Sequence, residues 1–248
     1  MEAMMTRIYK HPPVIIKALF FVFFTAPWQG LQADGAVIDK IYHPYVQALE
    51  REIEFRASSQ DNQPGRDDRS RLYRLAYGQS LSDTWFGELY IIGEKSAHDD
   101  FIIEAYEAEL LWQITEQGEF STDWGLLIEF EREVHSDIWE FSVGLLAEKE
   151  WGRWSGTANI LLTEEWGSDI DDELETAINL QARYRYAKAL EPAIEFYSGE
   201  DTRALGPVLL GQLALDGRQQ IKWEAGLIFG LDDRSPNQTL RFLMELEF

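Results

Sequence analysis

The last ten residues, TLRFLMELEF, alternate. Leu240, Phe242, Met244, Leu246 and Phe248 fall on one face, and Thr239, Arg241, Leu243, Glu245 and Glu247 on the other. A period of two is that of a β-strand, whose successive side chains point to opposite sides. A strand with one wholly apolar face must bury it against a second sheet or against lipid. The pattern recurs upstream. Trp124, Leu126, Ile128 and Phe130 oppose Leu127, Glu129, Glu131 and Glu133. Trp139, Phe141, Val143, Leu145 and Ala147 oppose Glu140, Ser142, Gly144, Leu146 and Glu148. Tyr106, Ala108, Leu110, Trp112 and Ile114 oppose Glu107, Glu109, Leu111 and Gln113. Further runs set Ile178, Leu180 and Ala182 against Asn179, Gln181, Arg183 and Arg185, and Ile221, Trp223 and Ala225 against Lys222, Glu224 and Gly226. Near 46–58, Ile53, Phe55 and Ala57 oppose Glu52, Glu54 and Arg56. Weaker runs at 70–80, 85–94, 154–165, 189–198 and 206–215 bring the total to twelve, or ten if the segment 189–215 is misread. Pro192 and Pro207 are expected near strand ends, where a missing ladder donor is tolerated.

The opposite end reads differently. Arg7, Lys10 and Lys17 precede the apolar run ALFFVFFTA at 18–26, and a polar stretch follows. This is the order of a secretory signal peptide, with cleavage expected after Ala33 or, as an alternative, after Ala36. The apolar run is well short of the roughly 20 residues of a spanning helix. A short N-terminal membrane anchor is the competing reading.

With an export signal at one end and an alternating, Phe-terminated strand at the other, the chain resembles the bacterial outer-membrane β-barrel proteins of the small porin and channel kind. The resemblance implies an all-β fold: a closed, up-and-down antiparallel transmembrane barrel over 46–248. It follows the signal peptide (1–33) and a periplasmic lead-in (34–45). It also implies that Leu240, Phe242, Met244, Leu246 and Phe248 form the signal read by the barrel-assembly machinery. Lipid and lipopolysaccharide are the implied surroundings.

A β-sandwich also alternates, so the placement of aromatics matters. In a barrel with both termini in the periplasm, Trp85, Trp112, Trp124, Trp151, Trp154 and Trp223 all fall at periplasmic strand ends. Tyr184, Tyr186 and Phe248 join them, while Trp139 and Trp166 fall at the outer ends. Two aromatic levels are what the two lipid boundaries select.

Charge then finds its place. There are 44 acidic and 22 basic residues, a net of −22, and mean hydropathy is −0.30 although 45% of residues are hydrophobic. Clustered Lys and Arg, which nucleic-acid binding needs, are missing. With no cysteine, disulfides, thiolate chemistry and Cys-type metal sites are excluded. The acids fall on the inward face. The expected pore lining is Glu107, Glu109, Glu129, Glu131, Glu133, Glu140 and Glu148, with the bases Arg56, Arg74, Arg183, Arg185, Lys222 and Arg241. The strands at 106–114, 124–133 and 139–148 carry no inward base. The expectation is a narrow pore with acid on one wall and base on the other, favouring small cations or zwitterions. The alternative is a set of cross-lumen ion pairs that plug a structural or partner-docking barrel.

The expected outer loops carry His98-Asp99-Asp100, Asp169, Asp171-Asp172-Glu173, Glu200-Asp201 and Asp232-Asp233. Their spacing does not match a calcium loop, and a solvated rim bridged to lipopolysaccharide phosphates is the expectation, with no dedicated metal site and no cofactor. A lipid-modifying enzyme is the rival class. Its Ser and His must share a face, and His135-Ser136, the one adjacent pair, would point to opposite faces of a strand. No catalytic residue is expected.

Overall fold

The computed structural model describes residues 38–61, 69–95 and 100–248. The signal-peptide reading and the rim residues His98 and Asp99 fall outside them. The described chain forms twelve strands. They are β1 (Arg51–Asp61), β2 (Arg69–Ser80), β3 (Trp85–Lys95), β4 (Ile102–Gln113), β5 (Asp123–Glu133) and β6 (Ile138–Trp151). β7 (Trp154–Gly167), β8 (Glu173–Tyr184), β9 (Glu191–Ser198), β10 (Arg203–Ala214), β11 (Gln220–Gly230) and β12 (Gln238–Glu247) follow. Each pairs antiparallel with its chain neighbours, and β1 pairs with β12, so the sheet is a closed barrel. Closure removes every unpaired edge, which hydrocarbon would penalise heavily. The backbone N–H of Phe248 donates to Arg51 O at 2.9 Å, so the final residue fastens the seam.

The burial pattern is inverted relative to a soluble protein. Leu75, Leu89, Leu110, Phe130, Phe141, Leu145, Ile160, Ile194, Leu209 and Phe242 are exposed on the outside. Glu54, Glu107, Glu109, Glu148, Glu195 and Arg241 are buried inside. The outer belt is bounded by two aromatic levels. Trp85 stacks on Trp112 with ring centroids 5.4 Å apart, and Trp154 packs against Tyr184 at 5.0 Å, at the end where β1 begins and β12 ends. Phe130 packs on Trp139 (5.4 Å) and Trp166 (6.4 Å) at the opposite, loop end.

Two expectations change. Pro207 lies inside β10 rather than near its end: pairing with β9 continues through it, and pairing with β11 lapses at 206–207. The missing donor is absorbed by that gap in one ladder. The other change is larger. β1 begins at Arg51, not near 46, and the stretch read as a periplasmic lead-in lies, over residues 38–46, against inward-facing side chains of the barrel. Ile38 and Ile41 are buried with Tyr197, Val208, Leu210 and Ile228 of β9–β11. Tyr42 and Val46 pack with Phe86, Leu111, Leu127, Leu146 and Leu161 of β3–β7. Pro44 sits where a side chain on Gly125 would be, 2.9 Å from the position of a Cβ there, so glycine makes room for the entering chain.

Candidate lumen site

Strand register lines up the inward carboxylates. Toward the loop end, Glu107 faces Glu131, Glu131 faces Glu140, Glu140 faces Glu165, and Glu165 faces Glu173. One carboxylate on each of β4 to β8 thus forms a continuous arc. Toward the terminal end a second arc runs Glu247–Glu52–Gly78–Glu88–Glu109–Glu129 across β12, β1, β2, β3, β4 and β5. Like charges directly opposite each other across a ladder are destabilising, so both arcs need counter-charge, protons or water.

Residues 38–46 bring a cation and donors to the terminal-end arc and to the carboxylates beside it. Lys40 Nζ lies 2.7 Å from Glu54 Oε2 and 3.5 Å from Glu245 Oε1. The Tyr42 hydroxyl is 3.0 Å from Glu109 Oε2 and 2.9 Å from Glu129 Oε1. A hydroxyl has one proton, so it donates to one of these carboxylates and must accept from the other or from a third donor. Asn159 holds the Tyr42 backbone at both polar atoms, each at 2.8 Å. His43 Nδ1 lies 2.5 Å from Glu148 Oε2, and the Tyr45 hydroxyl donates to Asp123 at 2.9 Å.

The predicted inward bases pair with nearby acids rather than facing an acidic wall across the lumen. Arg241 Nη2 contacts both oxygens of Glu195 (2.6 and 2.7 Å) and Glu224 Oε2 at 2.9 Å. Lys222 reaches Glu245 at 3.3 Å, Glu50 at 3.6 Å, and Glu247. Arg56 binds Asp39 at 2.5 Å and Glu54 at 2.6 Å. Arg183 lies 3.4 Å from Glu148 and 3.5 Å from Glu191, and Arg185 pairs with Glu150 at the terminal rim. Arg74 reaches the loop-end arc, through Glu107 at 2.5 Å. Glu133 accepts from the Ser136 hydroxyl in the adjoining turn. Among the described residues, neither Glu131 nor Glu140 has a lysine or arginine within ion-pair range.

The C-terminal apolar residues face outward: Leu240, Phe242, Met244 and Phe248 are exposed and Leu246 partly so. Sequence reasoning missed Asp39, Lys40, Tyr42 and His43. Their signal was a short run of charged and hydroxyl-bearing residues, DKIYHPY, next to an acid-rich barrel. Among the described residues, three carboxylate groupings have oxygens within 4.8 Å of one another: Glu50/Glu52/Glu247, Glu52/Glu54/Glu245 and Glu107/Glu109/Glu129. The first two already hold the ammonium groups of Lys222 and Lys40.

No protein-family model matches the sequence, and no curated relative matches it. The structure is similar to that of an outer membrane channel from Pseudomonas putida F1, with a TM-score of 0.54 at 14% identity, covering 88% of this chain and 100% of that one. It is also similar to a KdgM porin solved with disordered oligogalacturonate, at a TM-score of 0.49 and 8% identity, over 79% of this chain and 98% of that one. At such identities the likeness is one of fold. With its closed barrel, apolar exterior and two aromatic levels, the chain is a β-barrel of the bacterial outer membrane.

Proposed function

We propose that the barrel is a narrow, cation-preferring pore whose passage is restricted by residues 38–46. The loop-end carboxylate arc from Glu107 to Glu173 carries this reading. Five like charges set level on adjacent strands cost stability, and an arc of that kind is suited to lowering the energy of a passing cation and raising that of an anion. At an effective dielectric near 20, a unit charge 4 Å away contributes about 4 kcal/mol before desolvation. A remainder of about 1.4 kcal/mol is already tenfold selectivity. Small cations or zwitterions are the proposed solutes, and the barrel-assembly machinery and lipopolysaccharide the proposed partners.

Catalysis has less support. Glu148 and the Thr157 hydroxyl both meet His43 through Nδ1, at 2.5 and 3.5 Å. A relay needs the carboxylate on one ring nitrogen and the hydroxyl on the other. A side-chain-plugged structural barrel is the second reading, favoured by the ion pairs that tie Lys40 and Asp39 to the wall.

Reversal potentials in a salt gradient across planar bilayers separate these. Wild-type protein should prefer cations, and the triple variant Glu129→Gln/Glu131→Gln/Glu140→Gln should lose much of that preference. Replacing residues 38–46 with an equal length of Gly and Ser should raise conductance several-fold. An anion preference sinks the proposal, and absence of current in all three proteins favours the structural barrel.

A further inference from the structure

Lys40 differs from Arg56, Arg74, Lys222 and Arg241 in that it is not on a barrel strand. It comes from residues 38–46 and places its ammonium between strands that meet at the seam. Glu54 on β1 and Glu245 on β12 are register partners. Their oxygens and one of Glu52 lie within 4.8 Å of one another, and all three residues are buried. Lys40 Nζ sits against Glu54 Oε2 (2.7 Å) and Glu245 Oε1 (3.5 Å).

A second observation shows spare capacity for a cation here. Glu88 is only 4% exposed, and its Oε1 is buried with no hydrogen-bond partner. Glu88 is level with Glu52 across Gly78, which has no side chain to separate them. A Cβ on Gly78 would lie 2.8 Å from Glu88 Cγ, so the glutamate side chain extends over the glycine. The wall itself brings Arg56 Nε to Glu54 (2.6 Å) and Lys222 to Glu245 (3.3 Å). That leaves four carboxylates, Glu52, Glu54, Glu88 and Glu245, for two wall cations. An unpaired buried carboxylate is costly, and Lys40 offsets part of that cost.

We propose that this seam cage is a binding site for primary ammonium groups on unbranched alkyl chains, and that Lys40 is its tethered occupant. When residues 38–46 withdraw, the cage takes a free alkylammonium solute in place of the lysine side chain. Its carboxylates accept the N–H donors of a primary amine, whereas a quaternary ammonium has none to offer. The solute class rests on the pore reading for passage, but binding can be read without any current.

The probe is n-butylammonium, which reproduces the lysine side chain, with tetramethylammonium as a control of equal charge. Calorimetric titrations use refolded full-length wild type, Lys40→Met and Lys40→Met/Glu54→Gln/Glu245→Gln. Butylammonium should bind Lys40→Met at one site, at least tenfold tighter than wild type or the triple variant, and tetramethylammonium should not. Lys40→Ala gives an independent readout: butylammonium should restore its thermal stability or its refolding yield, and tetramethylammonium should not. Equal binding to wild type and Lys40→Met overturns the proposal, as does failure of the amine to rescue Lys40→Ala. Bilayer recordings of the same proteins keep the two readings apart. Binding to Lys40→Met with no current in any variant leaves the cage standing and removes the pore. Cation current without binding or block by butylammonium removes the cage and leaves the pore.

Discussion

Residue by residue, the lumen acids divide by what answers them. Glu195 is fully buried and takes two contacts from Arg241, which also reaches Glu224. Removing the guanidinium leaves the buried Glu195 and the partly buried Glu224 without it, and breaking a buried pair in this way typically costs about 3–5 kcal/mol. Arg241→Met should therefore lower the urea midpoint of refolded protein sharply, while Arg185→Met at the half-exposed rim should shift it by less than about 1 kcal/mol. Equal losses at both sites would contradict the division. Glu131 should respond in the opposite direction. It faces Glu107 on one side and Glu140 on the other. Glu131→Gln should stabilise the barrel by about 0.2–1 kcal/mol per relieved pair while reducing cation preference. A Glu131→Gln barrel less stable than wild type would mean that the carboxylate has a partner on which stability depends.

At the scale of the strand and its connection, the hairpins explain what was readable. Period-two alternation places β4, β5, β6, β8, β11 and β12 and their inward faces, because lipid on one side and a polar lumen on the other enforce the pattern at every residue. Glu107, Glu131 and Glu140 could be put inside on that basis, but their mutual alignment depends on register, which loop geometry sets. The segment 38–46 was not legible in this way. It has no period, and its position comes largely from contacts to strands far away in sequence, from β3–β7 to β9–β12. The outer connection between β11 and β12 shows local chemistry instead. Asp232 accepts from the Ser235 hydroxyl (2.6 Å) and from the N–H groups of Ser235 (3.0 Å) and Arg234 (3.2 Å). Burial pushes its carboxyl up, and those hydrogen bonds outweigh it, holding the group below the ordinary 3.8. A lowered carboxylate contributes stability above its unfolded value and loses it as pH falls through the folded one. Amide exchange across 231–237 should accelerate on acidification below about pH 4. Asp232→Asn should be faster at neutral pH and flat through that window, and a wild-type loop indifferent to acid would refute the capping role.

For the molecule as a whole, the interior is packed unevenly around the ring. β9–β11 present Tyr197, Val208 and Ile228 to Ile38 and Ile41, whereas β4–β8 present the loop-end carboxylates. The entering segment rests Ile38 and Ile41 on the β9–β11 side and Tyr42 and Val46 on an apolar patch of β3–β7, while its hydroxyl and ammonium groups meet lumen acids. Replacing both Ile38 and Ile41 with Ser should release it from the apolar side. Protease cleavage within 38–50 should then rise several-fold while the heat-modifiable mobility of the folded barrel persists. Unchanged protection would show that the segment is held without the β9–β11 cluster, by its polar contacts and the packing of Tyr42 and Val46.

The seam between β1 and β12 also bears on how the barrel comes into being. Hydrogen bonds between the first strand and the last, ending with Phe248 on Arg51, join parts of the chain that are among the most distant in sequence. Loop-closure entropy must be met before such contacts give anything back. The ring therefore cannot close before β12 has been made. Residues 38–46 precede the strand that closes it. Their contacts span both sides of the seam, with Lys40 against Glu54 on β1 and Glu245 on β12. An N-terminal peptide lying in the curling sheet would bring these two carboxylates together around one ammonium, and so act as a template for the order in which the edges meet.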